Sequence, residues 1–343
     1  MLVGNVGRAG RHRQAPPPGL RPVVRRRRAR LPAIAVALSA LTVLVLGFVT
    51  LSAGSPRHAA HSPHRGTPTG LPATPGSYLG VYAEEAPLSY TGISAFTKAT
   101  GVRPRLVVYY SGWWEPFQTS FATTAAKHGA VPLVQIDPTN IRLAAIASGK
   151  YDTYLTSYAE AVRRYHEPVI LGFGHEMNGV WFSWGYRYTT PAVFVAAWRH
   201  IVTLFRAVGT PNVTWLWTVN IIKTRNGQIR SPTPWWPGNS FVNWVGIDGY
   251  YLKPSWQFAP MFGPTIAAVR ELTGAPILIS ETSAAPVANQ QEKIPDLFAG
   301  IRTYGLLGFV WFNAVASYDY RINDPAAIAA FRQGVRTYNY PAS

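Results

Sequence analysis

The chain has 343 residues, of which 48% are hydrophobic and 13% aromatic, enough for a large core, and it contains no cysteine, so packing alone must hold the fold. The formal net charge of +17 would be typical of a nucleic-acid-binding protein, but eleven of the 32 basic residues are arginines within residues 1–70, where no carboxylate occurs. The remaining 21 basic residues exceed the 15 acidic ones by only six, so the charge does not require a nucleic-acid partner.

The first patterned segment is residues 31–53, an uncharged run rich in Leu, Val, Ala and Ile. As a helix it would span roughly 30–35 Å, which matches the hydrocarbon core of a bilayer. Five arginines stand directly before it, at Arg25, Arg26, Arg27, Arg28 and Arg30. The positive-inside rule then predicts a cytoplasmic N-terminus and a chain that is outside the cell after residue 54. A cleaved signal peptide is the alternative, but its apolar region is usually only about 7–15 residues long, which favours an uncleaved anchor.

From Tyr78 onward, short apolar runs alternate with longer helical patterns. Strands are predicted at Leu79–Tyr82, Leu106–Tyr110, Pro132–Ile136, Val169–Phe173, Val213–Thr218, Trp244–Ile247, Ile277–Ile279 and Phe309–Phe312. Amphipathic helices between them are predicted at Tyr151–Tyr165, Pro191–Val208, Pro260–Leu272 and Ile294–Tyr304. Eight βα repeats in about 265 residues are the number and size of a (β/α)8 TIM barrel. A doubly wound open sheet is the alternative, but no glycine-rich phosphate turn follows the first strand, and eight regular units favour closure.

These patterns divide the chain into four segments. We expect a basic cytoplasmic tail at 1–30, a transmembrane signal-anchor at 31–53, a Pro-rich extracytoplasmic linker at 54–77 and the α/β barrel at 78–340. The membrane is therefore an expected partner of residues 31–53. The barrel is expected to be monomeric and extracellular, or secreted if the apolar segment is cleaved.

Two glutamates follow strongly apolar strands, Glu176 after the fourth and Glu281 after the seventh. The chemistry of a TIM barrel lies at the C-terminal ends of its strands, and ends four and seven face each other across the mouth. A structural salt bridge could explain one such carboxylate, because a buried charge must be paired or hydrogen-bonded. Two of them among aromatic loops favour glycoside hydrolysis, in which one carboxyl group protonates the leaving oxygen and the other attacks the anomeric carbon.

A zinc site is the competing interpretation of the pair His175-Glu176. The HExxH pattern requires a second histidine at position 179, where this chain has Gly179. No other histidine cluster offers further ligands, so neither a metal nor another cofactor is expected.

The segment His175–Gly179, together with Trp181 and Trp184, resembles the acid/base motif of glycoside hydrolase family 26. That family comprises mainly β-mannanases, with some mixed-linkage glucanases and xylanases, and has catalytic glutamates after strands four and seven of the barrel. The resemblance covers roughly residues 78–335. Its supporting motifs are Trp215–Asn220, Trp236–Gly238, Gly246–Tyr250 and Ser280-Glu281.

The resemblance implies that Glu176 is the acid/base and Glu281 the nucleophile. It also implies a substrate-binding set: His175 at the sugar 2-hydroxyl, Tyr250 orienting Glu281, Trp311 as the floor under the reacting sugar, Trp181 and Trp184 as cleft walls, and Asn178 and Asn220 beside them. Two departures from the family pattern leave the sugar open. Leu171–Gly174 stands where mannanases carry an arginine, and Asn239 stands where an acidic residue is common.

Other residues near strand ends have two interpretations each. Trp113–Glu115 could line a subsite or pack under a loop, and Asp137 could bind a hydroxyl group or cap a helix. Trp235-Trp236 could be a distal sugar platform or a lid over the rim. Asp248 fits a hydrogen-bonded organiser better than a catalyst.

The function expected from these features is retaining hydrolysis of an extracellular β-linked polysaccharide, with a polysaccharide or oligosaccharide substrate as partner. A non-catalytic or weakly catalytic sugar-binding barrel in a cell-surface polysaccharide system is the alternative, and the expected membrane anchor is compatible with it. Such a barrel would be free to lose Glu176 or Glu281, and both are present. The glutamate pair therefore favours catalysis.

Overall fold

The protein structure, a computed structural model, describes residues 71–222, 229–338 and 340, so the apolar run predicted as an anchor lies outside the described residues. Eight parallel strands close into a barrel in chain order, which confirms the predicted (β/α)8 barrel over the open sheet. The strands are β1 Tyr78–Ala83, β2 Leu106–Gly112, β3 Val131–Asp137, β4 Val169–Phe173, β5 Val213–Asn220, β6 Trp244–Asp248, β7 Ile277–Thr282 and β8 Gly308–Asn313.

Helices surround this barrel. They are α1 Thr91–Thr100, α2 Thr119–Lys127, α3 Leu143–Ala147, α4 Asp152–Tyr165, α5 Pro191–Val208, α6 Phe258–Leu272, α7 Gln290–Thr303 and α8 Pro325–Thr337. The helix predicted at Pro191–Val208 has those same bounds, with Pro191 in the first turn and the Thr190 side chain accepting from Val193 N. Among the described residues this is the one helix long and apolar enough to cross a bilayer, and a third of that stretch is buried inside the protein.

The β5–β6 connection departs from eight regular βα repeats. In its described part it forms only a 3₁₀ turn at Thr233–Trp235, because prolines at 232, 234 and 237 and the glycine at 238 interrupt any longer helix. Trp235 is buried against Phe194 of α5, and Trp236 packs edge-on against Trp217 of β5. These two indoles cover the flank of the barrel that a helix would otherwise cover.

Strand residues alternate between two apolar layers, one inside the barrel and one beneath the helices. The inner layer leaves little room at Gly172 of β4, where an added Cβ would lie 1.9 Å from Gln135 Oε1. The Gln135 amide in turn donates to Thr218 Oγ1 at 3.0 Å. Gly172 therefore lies against a neutral hydrogen-bonded pair on the inner side of the barrel.

Candidate active site

Polar side chains gather at the C-terminal ends of six neighbouring strands. They are Tyr110 on β2, Asp137 on β3, His175 and Glu176 after β4, Asn220 on β5, Asp248 and Tyr250 on and after β6, and Ser280 and Glu281 on β7. Hydrogen bonds between side chains of neighbouring strands link most of them, and all but Tyr110, Asp137, Asn220, Tyr250 and Glu281 are nearly or fully enclosed. The mouth of the barrel thus carries one polar cluster on an apolar scaffold.

A bulge in β7 directs Glu281 into this cluster. Gly246 and Asp248 are two positions apart in β6, whereas their partners in β7, Leu278 and Glu281, are three positions apart. Regular alternation would put Glu281 on the same outer side as Ile279. The extra residue reverses that side, as bulges beside active sites commonly do. Strand periodicity alone could not have placed this carboxylate.

The Glu281 carboxylate accepts one hydrogen bond at each oxygen, from Tyr110 Oη at Oε2 and from Tyr250 Oη at Oε1. Burial and the negative charge of Glu281 raise the pKa of both phenols well above the ordinary value, so both remain neutral donors. The two phenols therefore fix the position of the Glu281 carboxyl group. Sequence reasoning expected Tyr250 here and missed Tyr110, although its inward position at the end of β2 was a usable signal.

Glu176 has a left-handed backbone, with φ 54°, which is uncommon for a residue with a long side chain. Its N–H donates to Thr218 O at 3.0 Å and its carbonyl accepts from Gly179 N at 2.8 Å, so both neighbours hold this conformation. Strained backbone of this kind concentrates at functional sites. It turns the glutamate side chain from the end of β4 toward the barrel mouth.

Glu176 is 7% exposed, and its carboxyl group accepts from Asn220 Nδ2 and Trp181 Nε1, each at 2.5 Å. Burial and the charge of Glu281 raise its pKa from 4.5 to about 7, against the lowering effect of His175 and the two donors. This carboxyl group can therefore hold a proton near neutral pH and release it. Acid/base catalysis needs that property.

His175 and Asp137 form a partly buried ion pair, with Nδ1 3.0 Å from Asp137 Oδ1. Burial lowers the pKa of His175. The charge and hydrogen bond of Asp137, together with the charges of Glu176 and Asp248, have a larger opposite effect and raise this pKa to about 10. The imidazole is therefore a cation at neutral pH. The structure thus gives Asp137 a third role, which sequence reasoning did not consider.

Asp248 lies beneath the two glutamates and is 1% exposed. Its Oδ1 accepts from Ser280 Oγ at 2.6 Å. Burial and the charges of Glu281 and Glu176 raise its pKa well above the ordinary value. A buried, hydrogen-bonded carboxyl group in this place fits the organiser interpretation.

Two residues predicted to bind substrate are enclosed by protein instead. Asn178 is fully buried, and its amide donates to the carbonyls of Asn220 and Arg230 while its Oδ1 accepts from Asn220 N. Trp184 is 2% exposed, donates to His175 O at 2.7 Å, and is stacked against Phe182 at 4.3 Å. Both therefore support the loops beside the site rather than line it, and the half-buried Phe182 covers Trp184.

The prediction that Trp311 floors the reacting subsite is wrong. Its side chain is fully buried in the layer beneath the helices, where it meets Phe331 of α8 edge-on at 6.1 Å and donates to Tyr320 O. Alternation along β8 puts the next residue, Phe312, on the inner side, stacked against Tyr82 at 4.8 Å. The prediction had placed Trp311 on the wrong face of β8.

Within the described ranges, no group of three or more histidine, aspartate or glutamate side chains could hold a metal ion. The cluster instead contains one carboxylate held by two phenols and one carboxyl group that titrates near neutral pH. This arrangement can combine nucleophilic attack with proton transfer.

Comparison with known proteins points in the same direction. The profile of glycosyl hydrolase family 26 matches residues 118–333. Endoglucanase H of Acetivibrio thermocellus is 31% identical over 277 residues, which covers 76% of this chain and 30% of that protein. Mannan endo-1,4-beta-mannosidase A and B of Caldalkalibacillus mannanilyticus is 28% identical over 87 residues, which covers 23% of this chain and 16% of that protein. The chain thus spans less than a third of the length of either relative.

Solved structures share the barrel. The catalytic domain of the endo-beta-1,4-mannanase of Bacillus sp. JAMB-750 aligns with a TM-score of 0.60 at 16% identity, covering 78% of this chain and 87% of that chain. At such low identity the likeness shows the fold. The family profile goes further, because it spans more than half of the chain and includes every strand end from β3 to β8, with both glutamates. The resemblance seen in His175–Gly179 is thereby confirmed, and the chain belongs to glycosyl hydrolase family 26.

Proposed function

We propose that the protein is a retaining glycoside hydrolase that cleaves a β-linked polysaccharide by double displacement. One observation carries the proposal. The two glutamates, which lie at the C-terminal ends of β4 and β7, differ in their hydrogen-bond partners. Glu281 accepts from two phenols that stay neutral, whereas Glu176 is enclosed and its pKa is raised to about 7 by burial and by the charge of Glu281. Environments that separate two carboxyl groups in this way assign the acid and the nucleophile.

In the first step, Glu281 attacks the anomeric carbon while Glu176 gives its proton to the leaving oxygen. The bond between that carbon and the leaving oxygen breaks, and a covalent glycosyl-enzyme forms. Tyr110 and Tyr250 hold the attacking carboxylate in place. Asn220 and Trp181 then stabilise the carboxylate that Glu176 becomes after losing its proton.

In the second step, Glu176 accepts a proton from a water molecule, and the resulting oxygen attacks the anomeric carbon. The bond to Glu281 breaks, and the product keeps the β configuration because two inversions have occurred. The His175 cation lies beside Glu176 and favours the carboxylate form that Glu176 takes in this step. It therefore limits the rise in the pKa of Glu176, which keeps that group able to act as a base.

The substrate class we propose is β-mannan or a related β-glycan. The related sequences are named an endoglucanase and a mannan endo-1,4-beta-mannosidase, and the aligned barrel is an endo-beta-1,4-mannanase. The stretch Leu171–Gly174, where the family pattern described above has an arginine, is uncharged in this chain. This difference makes a panel of substrates preferable to a test on mannan alone.

The experiment is to incubate the purified protein with β-mannan, mixed-linkage β-glucan, cellulose and β-xylan and to measure new reducing ends. Activity on at least one polymer that disappears in Glu281→Ala, while the Tm of the variant stays within a few degrees of wild type, supports the proposal. Binding of a polymer without any hydrolysis would favour the non-catalytic sugar-binding barrel instead.

We also propose that residues 31–53 anchor the protein and that the barrel functions outside the cell, with 54–77 as linker. The support comes from the uncharged apolar run and the arginines before it. Protease added to intact cells should then digest the barrel and spare the N-terminal tail. Free full-length barrel in the medium would show instead that the apolar segment is cleaved.

A further inference from the structure

The end of the barrel opposite the glutamate pair carries a strong positive charge. Because all strands are parallel, the helices that lead into them end at this side, and α8 ends there too, since Arg332 donates to Ala99 O at 2.6 Å. We define the basal face as the last four residues of α1, α2 and α4 to α8, with the connections 101–105, 128–130, 166–168, 209–212, 273–276 and 304–307. Its exposed lysines and arginines are Lys98, Arg103, Arg105, Lys127, Arg163, Arg164, Arg206, Arg270, Arg302 and Arg336. Its acidic residues are Glu167 and Glu271.

This charge is barely compensated. Of the ten cations, Arg164 alone has a carboxylate partner within the described ranges, Glu160 on the same helix at 3.5 Å. The opposite end of the barrel comprises the strand ends, the connections after them and the first turns of the helices, and among its described residues Asp and Glu outnumber Lys and Arg. The barrel therefore has a positive basal face and a more acidic end around the site, which orients it in the field of a charged surface.

Helix ends account for part of this pattern. A cation near a helix C-terminus is favoured by the helix dipole, and each of the seven helices of the basal face has one in its last turn. The same effect favours acidic residues in first turns, but of these helices only α4 and α7 have one, Asp152 and Glu292. Arg103 and Arg105 lie outside any helix. Positive charge is thus concentrated at one end beyond what the dipoles explain.

The chain also enters the barrel at the basal face. Tyr78 begins β1 there, and its hydroxyl donates to Pro72 O at 2.8 Å. Gly76 N donates to Leu306 O at 2.9 Å, in the connection between α7 and β8. With residues 31–53 in the membrane, as proposed above, the basal face is the side of the barrel at which the tether attaches.

We propose that the basal face docks on the headgroups of anionic phospholipids, so that the glutamate pair faces away from the membrane. Exposed lysines and arginines are attracted to a negatively charged bilayer, and the attraction falls off within a Debye length. The tether alone would not set this orientation, because the 24 residues of 54–77 can span up to about 80 Å. The inference goes beyond the hydrolase function and does not depend on it.

The test measures which end of the barrel faces the bilayer. The chain has no cysteine, so Thr303→Cys on the basal face and Leu88→Cys at the other end each accept one donor fluorophore at an exposed position. The full chain is reconstituted into nanodiscs of phosphatidylcholine, alone or mixed with phosphatidylglycerol, that contain an acceptor-labelled lipid. The quantity measured is the energy transfer from position 303 divided by that from position 88.

Two variants remove the same number of charges from opposite ends of the barrel. The basal variant combines four substitutions of exposed residues that make no hydrogen bond or ion pair with a described residue: Lys98→Gln, Arg103→Gln, Lys127→Gln and Arg163→Gln. The control variant changes four exposed residues in connections at the other end: Arg142→Gln, Lys150→Gln, Arg187→Gln and Lys253→Gln. Both variants have the same net charge, so a difference between them reports where the charge lies.

On phosphatidylglycerol the ratio should be roughly two or more for the unsubstituted chain and for the control variant, and near one for the basal variant. It should also fall toward one on phosphatidylcholine alone, or when salt is raised from about 0.15 to about 1 M, which shortens the Debye length from about 8 to about 3 Å. A ratio near one on phosphatidylglycerol, or the same loss in both variants, would overturn the proposal. Binding of poly(glycerol phosphate) by the basal face without this ratio would overturn it in favour of a soluble polyanion.

The same samples separate this inference from the proposed anchor. A chain that joins only the nanodiscs with phosphatidylglycerol, and no longer does so as the basal variant, would support the docking surface and contradict the anchor. A chain that joins neither kind of nanodisc would overturn both. Hydrolysis of polysaccharides is measured separately, so its absence would leave the docking surface standing.

Discussion

The indole of Trp181 offers a way to move the pKa of Glu176 without changing the carboxyl group. Its Nε1 donates to Glu176 Oε2 at 2.5 Å, and this bond favours the charged carboxylate. Trp181→Phe removes the donor and keeps an aromatic ring. The pKa of Glu176 should therefore rise further above about 7.

The magnitude follows from the worth of a hydrogen bond to a buried charge, about 1.5–3 kcal/mol. One pKa unit corresponds to 1.36 kcal/mol, so losing the bond shifts the pKa by about 1–2 units. Asn220 still donates to the other oxygen, which favours the lower end of that range. The free enzyme must carry its acid proton, so the basic limb of kcat/KM should move from near pH 7 to near pH 8.

The assay is a pH–rate profile on an unactivated substrate, whose leaving group needs acid assistance. The matched control is Trp113→Phe, because Trp113 Nε1 is buried without a hydrogen-bond partner among the described residues. It should leave the basic limb where it is in wild type. A basic limb that stays put in Trp181→Phe, or moves to lower pH, would refute the assignment of Glu176 as the acid.

Three further outcomes are expected. Glu176→Ala should accumulate glycosyl-enzyme from an aryl glycoside with a good leaving group, and added azide should restore turnover and give a β-glycosyl azide; an α-azide would contradict the acid/base role. Trp311→Ala should lower the free energy of unfolding by about 3–5 kcal/mol because it creates a cavity, while kcat/KM stays within about twofold of wild type. A tenfold loss of kcat/KM at unchanged Tm would instead show that Trp311 acts in the site. A fragment of residues 78–343 should be soluble and melt cooperatively, because the buried core residues of the described part begin at Tyr78; aggregation would place the domain boundary earlier.

The barrel and its eight strands could be predicted because short apolar runs alternate with helical patterns along the chain. The helix at Pro191–Val208 carries its start signals, a threonine cap and a proline, in the sequence itself. The structure of the β5–β6 connection was harder to predict from the sequence. The prolines at 232, 234 and 237 indicate that no long helix forms around them, but not that Trp235 and Trp236 cover the barrel there.

The site could be predicted as far as the family motif reached. Glu176 and Glu281 are placed by strand ends and resemblance, whereas the faces of individual side chains depend on three-dimensional detail. Trp311 was assigned to the wrong face because its β8 register was unknown, and Tyr110 was missed because its partner is 171 residues away in the chain. The bulge that turns Glu281 inward also leaves no pattern in the sequence.

The central claim is that Glu281 forms a covalent bond to the sugar. The most direct measurement is mass spectrometry of the protein after incubation with a 2-deoxy-2-fluoro β-glycoside of the sugar that it cleaves, followed by peptide mapping. The fluorine slows both steps, and a good leaving group lets the first step proceed, so the intermediate accumulates. We predict one adduct per chain, on the peptide that contains Glu281. Full inactivation with the adduct on another residue, or turnover of the compound with no adduct and with an inverted product, would contradict the account.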